Sequence, residues 1–199
     1  MGLISDLKTK PSDFHLKRLK LIDDFDYSMA MDKVDRDFNG ALAEDQLIRG
    51  IENLKRYYAV VLFDPRNLHA VSAVVDPFWH AHVLLTREYD QFCHSIFGTL
   101  VHHIPLDPKD TRMVRYVTRL YDYTTETYPK IFKEVDDNVW PQSSHPRFRA
   151  VCLHYCIITP EIRANALFPR RREIMDKGAP TSISQHFFKG VDPPIKSNK

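Results

Sequence analysis

The sequence predicts a mostly α-helical protein, a bundle of four to six helices with an irregular C-terminal extension. Apolar residues recur at intervals of three and four over several long segments, which is the spacing of one helix face. Asp76-Pro77 and Asp107-Pro108 are typical helix starts, because Asp caps a helix and Pro suits its first turn. Hydrophobic residues make up 43% of the 199, enough for one packed core.

The first predicted helix covers residues 12–38, with Ser12 as its N-cap and Asn39-Gly40 as its end. The second covers residues 43–63 and stops at Asp64-Pro65. Its apolar stripe consists of Leu47, Ile51, Leu54, Tyr58 and Val61.

A third helix is predicted for residues 76–97, with Gly98 as its stop, and a fourth for residues 107–128. A shorter helix is expected at residues 131–135, and residues 148–158 are rich in β-favouring types.

Changes in composition divide the chain into four parts. We expect an N-terminal helical arm (1–40), a helical core (41–141), an extension packed on that core (142–177) and a flexible tail (178–199). The tail, rich in Pro, Ser and Lys, is the segment in which we expect a protein partner to bind.

Charge and cysteine content narrow the class of protein. The net charge is +2, so nucleic acid is not a favoured partner. There is no apolar run of the ~18 residues that a membrane span needs. Three cysteines are too few for a disulfide framework, which predicts a cytoplasmic protein. These features decide neither the oligomeric state nor whether the protein is an enzyme.

Residues 76–105 contain five of the ten histidines in the chain. Imidazole and thiolate are ligands that zinc and iron favour, so we expect a transition-metal site here. The candidate ligands are Asp76, His80, His82, His102 and His103, with Cys93 and His94 as secondary candidates.

Helix geometry restricts which of these residues can share a metal. Asp76 and His80 are four residues apart and lie on one face, whereas His82 points ~200° around the axis from His80. His102 and His103 follow the helix in the chain, and they could reach Cys93 and His94 more easily than they could reach His82. The sequence therefore predicts a group at the helix start and a separate group near its end. The alternative is that Asp76 caps the helix and that His82 is a hydrogen-bonded core residue.

A second candidate group comprises Cys152, His154 and Cys156. In a strand all three would share a face, and in a helix the two cysteines would still align. This group could form its own site, complete the first site from outside, or be buried core. Three consecutive arginines, Arg170, Arg171 and Arg172, could bind phosphate or a partner, or form a solvated basic turn.

One set of residues occurs at the spacings of a known family motif: Asp76, Trp79, His80, His82, Leu84 or Leu85, Thr86, Tyr89, Cys93, Gly98, His102 and His103. At these positions the chain resembles the glycine-rich domain-containing protein-like family. The resemblance covers about half of the chain, residues 43–141, and implies a helical fold and the metal site but no reaction. Trp79, Tyr89 and Gly98 would be structural positions of the motif. The glycine-rich tail of that family is missing, since the chain has only six glycines.

Two functions follow as hypotheses. The first is a metal-binding helical domain with a His/Asp site at the start of the third helix. The second is a non-enzymatic protein or nucleic-acid interaction module in which the Trp/His/Tyr motif is structural.

Overall fold

The computed structural model describes residues 2–155 and 159–180 and confirms the mostly α-helical class. Two short strands, β1 (His102–Pro105) and β2 (Cys152–Tyr155), form an antiparallel pair. A 3-10 helix covers Leu3–Asp6. The α-helices of the described residues are α1 (Asp13–Asp24), α2 (Ser28–Asp37), α3 (Glu44–Phe63), α4 (Asp76–Leu84), α5 (Thr86–Phe97), α6 (Thr111–Ile131), α7 (Pro160–Ala164) and α8 (Arg172–Met175).

Helix α3 lies at the centre of the core, and its predicted position is confirmed. Every residue of 57–63 is buried, so this part of the helix is covered on all sides. It contacts α1, α2, α4 and α6. Near its middle, Gly50 allows the Phe78 ring of α4 to lie against the helix backbone. This contact holds the first turn of α4 against the core.

The prediction of one continuous helix over residues 12–38 is wrong, because α1 and α2 are separate. Ser12 does cap α1, accepting a hydrogen bond from the backbone N–H of His15. Phe25 is extended (φ −67°, ψ 138°), and the Asp26 carboxylate accepts from the N–H of Ser28. A short polar side chain that binds the next N–H groups starts a new helix rather than continuing the old one.

The predicted helix over residues 76–97 also divides into two, α4 and α5. Leu85 interrupts it with φ −81° and ψ 62°. Gly98 ends α5 in the left-handed region (φ 67°), as expected for a helix stop. The Tyr89 hydroxyl then donates to the carbonyl of Val101 (2.6 Å) and accepts from Trp79 Nε1 (3.1 Å). These two bonds bring the chain after α5 back to α4.

Helix α6 runs past the predicted stop at Pro129 and ends at Ile131, so the separate helix expected at residues 131–135 is wrong. Proline removes one N–H, but its fixed φ is helical, and a single turn beyond it can still form.

The C-terminal part of the described chain packs on the core. β2 arises in the segment of β-favouring residues, and His154 of β2 pairs with His103 of β1. Met175 of α8 is fully buried and accepts through its carbonyl from the Tyr116 hydroxyl of α6 (2.8 Å). Only residues 178–180 of the predicted flexible tail fall in the described part. None of the helices described is long and apolar enough to cross a membrane.

Candidate metal centre

Asp76 lies in the first turn of α4 with a side chain that is 14% exposed. The expectation that it caps the helix is wrong, because the N-cap position of α4 is Val75 and Asp76 is its first helical residue. No side-chain capping hydrogen bond forms at this end of the helix. The carboxylate instead turns towards β1 and β2. Three side chains meet it there: the imidazoles of His80 and His103 and the thiol of Cys152.

The two imidazoles approach Asp76 from different directions. His80 Nδ1 lies 3.5 Å from Oδ2, one helical turn along α4, and His103 Nε2 lies 3.7 Å from Oδ1, across from β1. The two rings are themselves close, with centroids 4.2 Å apart. One ligand atom from each of the three residues fits within a span of 4.8 Å. In the parts of the chain described, this cluster is the group of His, Cys, Asp and Glu side chains whose geometry could hold a metal ion.

Exposure differs sharply across the cluster. The His80 side chain is 48% exposed, whereas that of His103 is 11% exposed. His103 Nε2 is buried and makes no hydrogen bond within the described residues. Its nearest carboxylate oxygen, Asp76 Oδ1, lies 3.7 Å away, beyond ordinary hydrogen-bond length. A buried ring nitrogen without a hydrogen bond is costly, so this atom is suited to a ligand that the cluster would share. The cluster is open on the His80 side and closed on the β1 side.

The protonation states suit metal binding, which requires deprotonated ligands. Burial opposes ionisation of Asp76, but the His103 imidazole, the Cys152 thiol and the charge of His80 outweigh it and lower the pKa of the carboxyl. Burial lowers the pKa of His80, although the nearby Asp76 charge opposes this. At neutral pH a carboxylate and a neutral imidazole are therefore available.

Cys152 is part of the surroundings of the cluster. Its Sγ donates to Asp76 Oδ1 over 2.8 Å, and the residue is almost fully buried. Burial, with the Asp76 charge and this hydrogen bond, raises the pKa of the thiol well above its ordinary value. Cys152 is therefore a thiol that orients the carboxylate, and its sulfur lies outside the three-residue cluster.

His82 points into the core, on the other side of α4 from His80. It is fully buried, and its Nδ1 lies 2.8 Å from the Tyr58 hydroxyl. The rings of Phe25, Tyr89 and Phe92 surround it. Burial lowers its pKa to about 3, so His82 is neutral at neutral pH. The structure separates it from the cluster.

The separate group expected at the end of the predicted helix does not form among residues 2–155 and 159–180. His103 joins Asp76 and His80 instead, and the Trp79–Tyr89–Val101 hydrogen bonds tie the chain just before β1 to α4. Cys93 is buried, and burial raises its pKa to about 11. His94 is exposed and binds Asp90, with Nδ1 2.9 Å from the carbonyl oxygen and 3.3 Å from a carboxylate oxygen. His102 precedes His103 in β1 and lies outside the cluster.

His154 belongs to a buried polar network that the sequence did not reveal. Its Nδ1 lies 2.8 Å from the Tyr57 hydroxyl, which donates to the carbonyl of His69 (3.0 Å). His69 in turn reaches Asp64 (Nε2 to Oδ2, 3.1 Å), which also accepts from the Tyr123 hydroxyl (2.6 Å). These polar groups satisfy one another in the core. In the sequence Asp64 is recognisable only as part of the stop after α3. Its role as the buried acceptor for His69 and Tyr123 is visible only in the structure.

The remaining candidates lie apart from the cluster. Cys156 is outside the described residues. Arg170 pairs with Asp176 (2.7 Å) and Arg171 with Glu173, so two of the three arginines have carboxylate partners within their own turn. Arg172 begins α8.

Trp79 and Tyr89 are buried and hydrogen-bonded to each other, and Gly98 ends α5. Residues of these types pack cores and end helices in many unrelated proteins, and so they identify a family poorly.

The resemblance to the glycine-rich domain-containing family is contradicted by the family match. A family model described as UCP032817-like matches residues 17–124, more than half of the chain. No curated protein and no solved structure matches the chain. The chain belongs to the UCP032817-like family.

Proposed function

We propose that the protein binds one divalent transition-metal ion through Asp76, His80 and His103. The observation that carries this proposal is the convergence of one ligand atom from each residue within 4.8 Å. The ligands come from α4 and β1, which are distant in sequence, so the tertiary fold rather than local chain geometry assembles the group.

The distances suit an ion of this class. Tetrahedral coordination with metal–ligand bonds of ~2.0–2.1 Å places neighbouring ligands ~3.3 Å apart. The Asp76–His80 and Asp76–His103 separations are 3.5 and 3.7 Å. These two distances involve different carboxylate oxygens, and one ligand atom from each of the three residues lies within 4.8 Å of the others. Side-chain shifts of up to about 1.5 Å would therefore bring the three atoms around one ion.

Two imidazoles and one carboxylate form a ligand set that leaves coordination positions open. Structural zinc sites are usually closed by four protein ligands, whereas catalytic zinc and non-haem iron sites use three and keep room for water or substrate. The half-exposed His80 gives solvent a path to the open side. These features favour a reactive metal centre over a structural one and are compatible with either zinc or iron.

Cobalt(II) titration tests the proposal, because this ion substitutes for zinc and absorbs visible light. Chelator-treated protein should bind one equivalent with a visible absorption band. Asp76→Asn, His80→Ala and His103→Ala should each abolish stoichiometric binding.

His94→Ala is the matched control. His94 and Asp90 form an exposed Asp–His pair with the same four-residue spacing as Asp76 and His80, with an N–O distance of 3.3 Å. Among the described residues, no third His, Cys, Asp or Glu side chain completes a cluster with this pair. The control should bind cobalt like the wild type. A wild-type protein that binds no stoichiometric metal, or equal losses in His94→Ala and His103→Ala, would refute the proposal.

A further inference from the structure

A cleft lies beside Pro77 and Phe78 in the first turn of α4, the turn that also carries Asp76 of the proposed metal centre. Its first hollow, about 380 Å³, lies between α3 and the segment leading into α4. Phe38 and Val74 line it and remain 42% and 43% exposed, although both are large and apolar. Phe78 and Val139 contribute buried apolar surface. This volume falls within the ~300–1,000 Å³ of small-molecule pockets, which are mostly apolar with a few polar groups.

A second hollow of about 280 Å³ continues the first. Val74 and Val139 line both, so the two hollows are adjacent, and together they are here named the Val74 cleft. The second hollow adds Phe148 to the apolar lining and two arginines, Arg147 and Arg149. The lining of both hollows is mostly apolar. Arg49 in the first hollow is paired with Asp136 (3.9 Å), whereas the second hollow adds two further arginines.

The charges of Arg147 and Arg149 are not neutralised by carboxylates within the described residues. Arg149 donates to the carbonyl oxygens of Pro146 and Phe148, and Arg147 contacts the side-chain oxygen of Asn138 at 3.5 Å. Both arginines are exposed. Bonds of this kind leave the positive charge of each guanidinium available to an anion.

We infer that the Val74 cleft binds an amphipathic carboxylate, with its apolar part beside Phe38 and Phe78 and its carboxylate at Arg147 and Arg149. Charge complementarity selects the carboxylate end, because a guanidinium binds a carboxylate through two parallel hydrogen bonds. The apolar lining selects the other end, since covering exposed apolar surface is favourable. This site is distinct from the proposed metal centre and does not depend on it.

Decanoate is the probe, measured by isothermal titration calorimetry on the full chain. We expect saturable binding of one equivalent. Arg149→Gln should weaken binding at least about tenfold, because it removes a charged hydrogen-bond donor. Arg87→Gln is the matched control, since Arg87 is exposed and lies outside the cleft. It should bind decanoate like the wild type.

Val74→Asp tests the apolar part of the cleft at an exposed position, where folding should tolerate the change. It should abolish binding, because it places a negative charge in the path of the acyl chain. Decanol, which has the same chain without the carboxylate, should bind at least tenfold more weakly than decanoate to the wild type. Absence of saturable decanoate binding, binding unaffected by Val74→Asp, or equal losses in Arg149→Gln and Arg87→Gln would overturn the inference.

Discussion

The contact between Gly50 and Phe78 allows a prediction in which the same substitution changes sign with its background. A Cβ at Gly50 would lie 2.1, 2.2 and 2.6 Å from three carbons of the Phe78 ring. Ordinary carbon–carbon contacts are ~3.5–4.0 Å, so the ring would have to leave its place in Gly50→Ala. Phe78 is only 4% exposed, and its displacement would also disturb the first turn of α4.

Two effects oppose each other in Gly50→Ala. Replacing glycine by alanine inside a helix stabilises it by ~1 kcal/mol. Overpacking costs ~1–3 kcal/mol, and losing a buried phenylalanine outright costs ~3–5 kcal/mol. An overlap of more than an ångström places the cost between these ranges. Subtracting the helix gain of about 1 kcal/mol from a cost of about 2–4 kcal/mol, we expect Gly50→Ala to lower the free energy of unfolding by about 1–3 kcal/mol.

In a Phe78→Ala background the obstacle is gone, and the same change should become stabilising. The single variant Phe78→Ala should cost ~3–5 kcal/mol. The double variant should then be more stable than Phe78→Ala alone by about 1 kcal/mol, from helix propensity and partial filling of the space. Urea denaturation followed by circular dichroism gives the free energy of unfolding of the wild type, the two single variants and the double variant. The comparison requires the same dependence of this free energy on urea concentration in all four proteins. Gly50→Ala that stabilises both backgrounds, or destabilises both equally, would refute the packing argument.

Three further predictions concern the polar groups of the core and the cluster. The first rests on the proposed metal site: Cys152→Ala removes the thiol that orients Asp76 and should weaken cobalt affinity ~10–100-fold. Cys152→Ser keeps a hydrogen-bond donor, so its cobalt affinity should stay near that of the wild type. Equal cobalt affinities in all three proteins would contradict this role of the thiol. The pKa of His82 falls from 6.5 in the unfolded chain to about 3 in the fold, so its contribution to stability is complete above pH 6.5 and is lost as pH falls towards 3. Burial of His82 should therefore account for about 2–3 kcal/mol of the stability that chelator-treated protein loses between pH 7 and about pH 4.5. His82→Phe should lose less by about this amount, as urea titrations at both pH values would reveal. Asp64→Asn places an amide against donors from His69 and Tyr123 and should lower the free energy of unfolding by about 2 kcal/mol or more; an unchanged denaturation midpoint would show that the network adds no stability.

Local sequence patterns predicted the parts of the cluster that depend on one helix. The pairing of Asp76 with His80 follows from four-residue spacing, and the opposite orientation of His82 follows from two-residue spacing. Both relations depend only on helix geometry and on residues a turn or less apart. The break at Leu85 was not visible, because the segment on each side of it has a helical pattern.

The sequence by itself determined the helical class, the position of α3, and the face that Asp76 shares with His80. The tertiary structure alone decided that His103 and Cys152 reach that face. This depends on the turn at Leu85, on the Trp79–Tyr89–Val101 hydrogen bonds and on the register of β1 with β2. Helix formation is governed by neighbouring residues. Contacts between segments distant in sequence, such as β1 with α4, arise only when the whole core packs and brings those segments together.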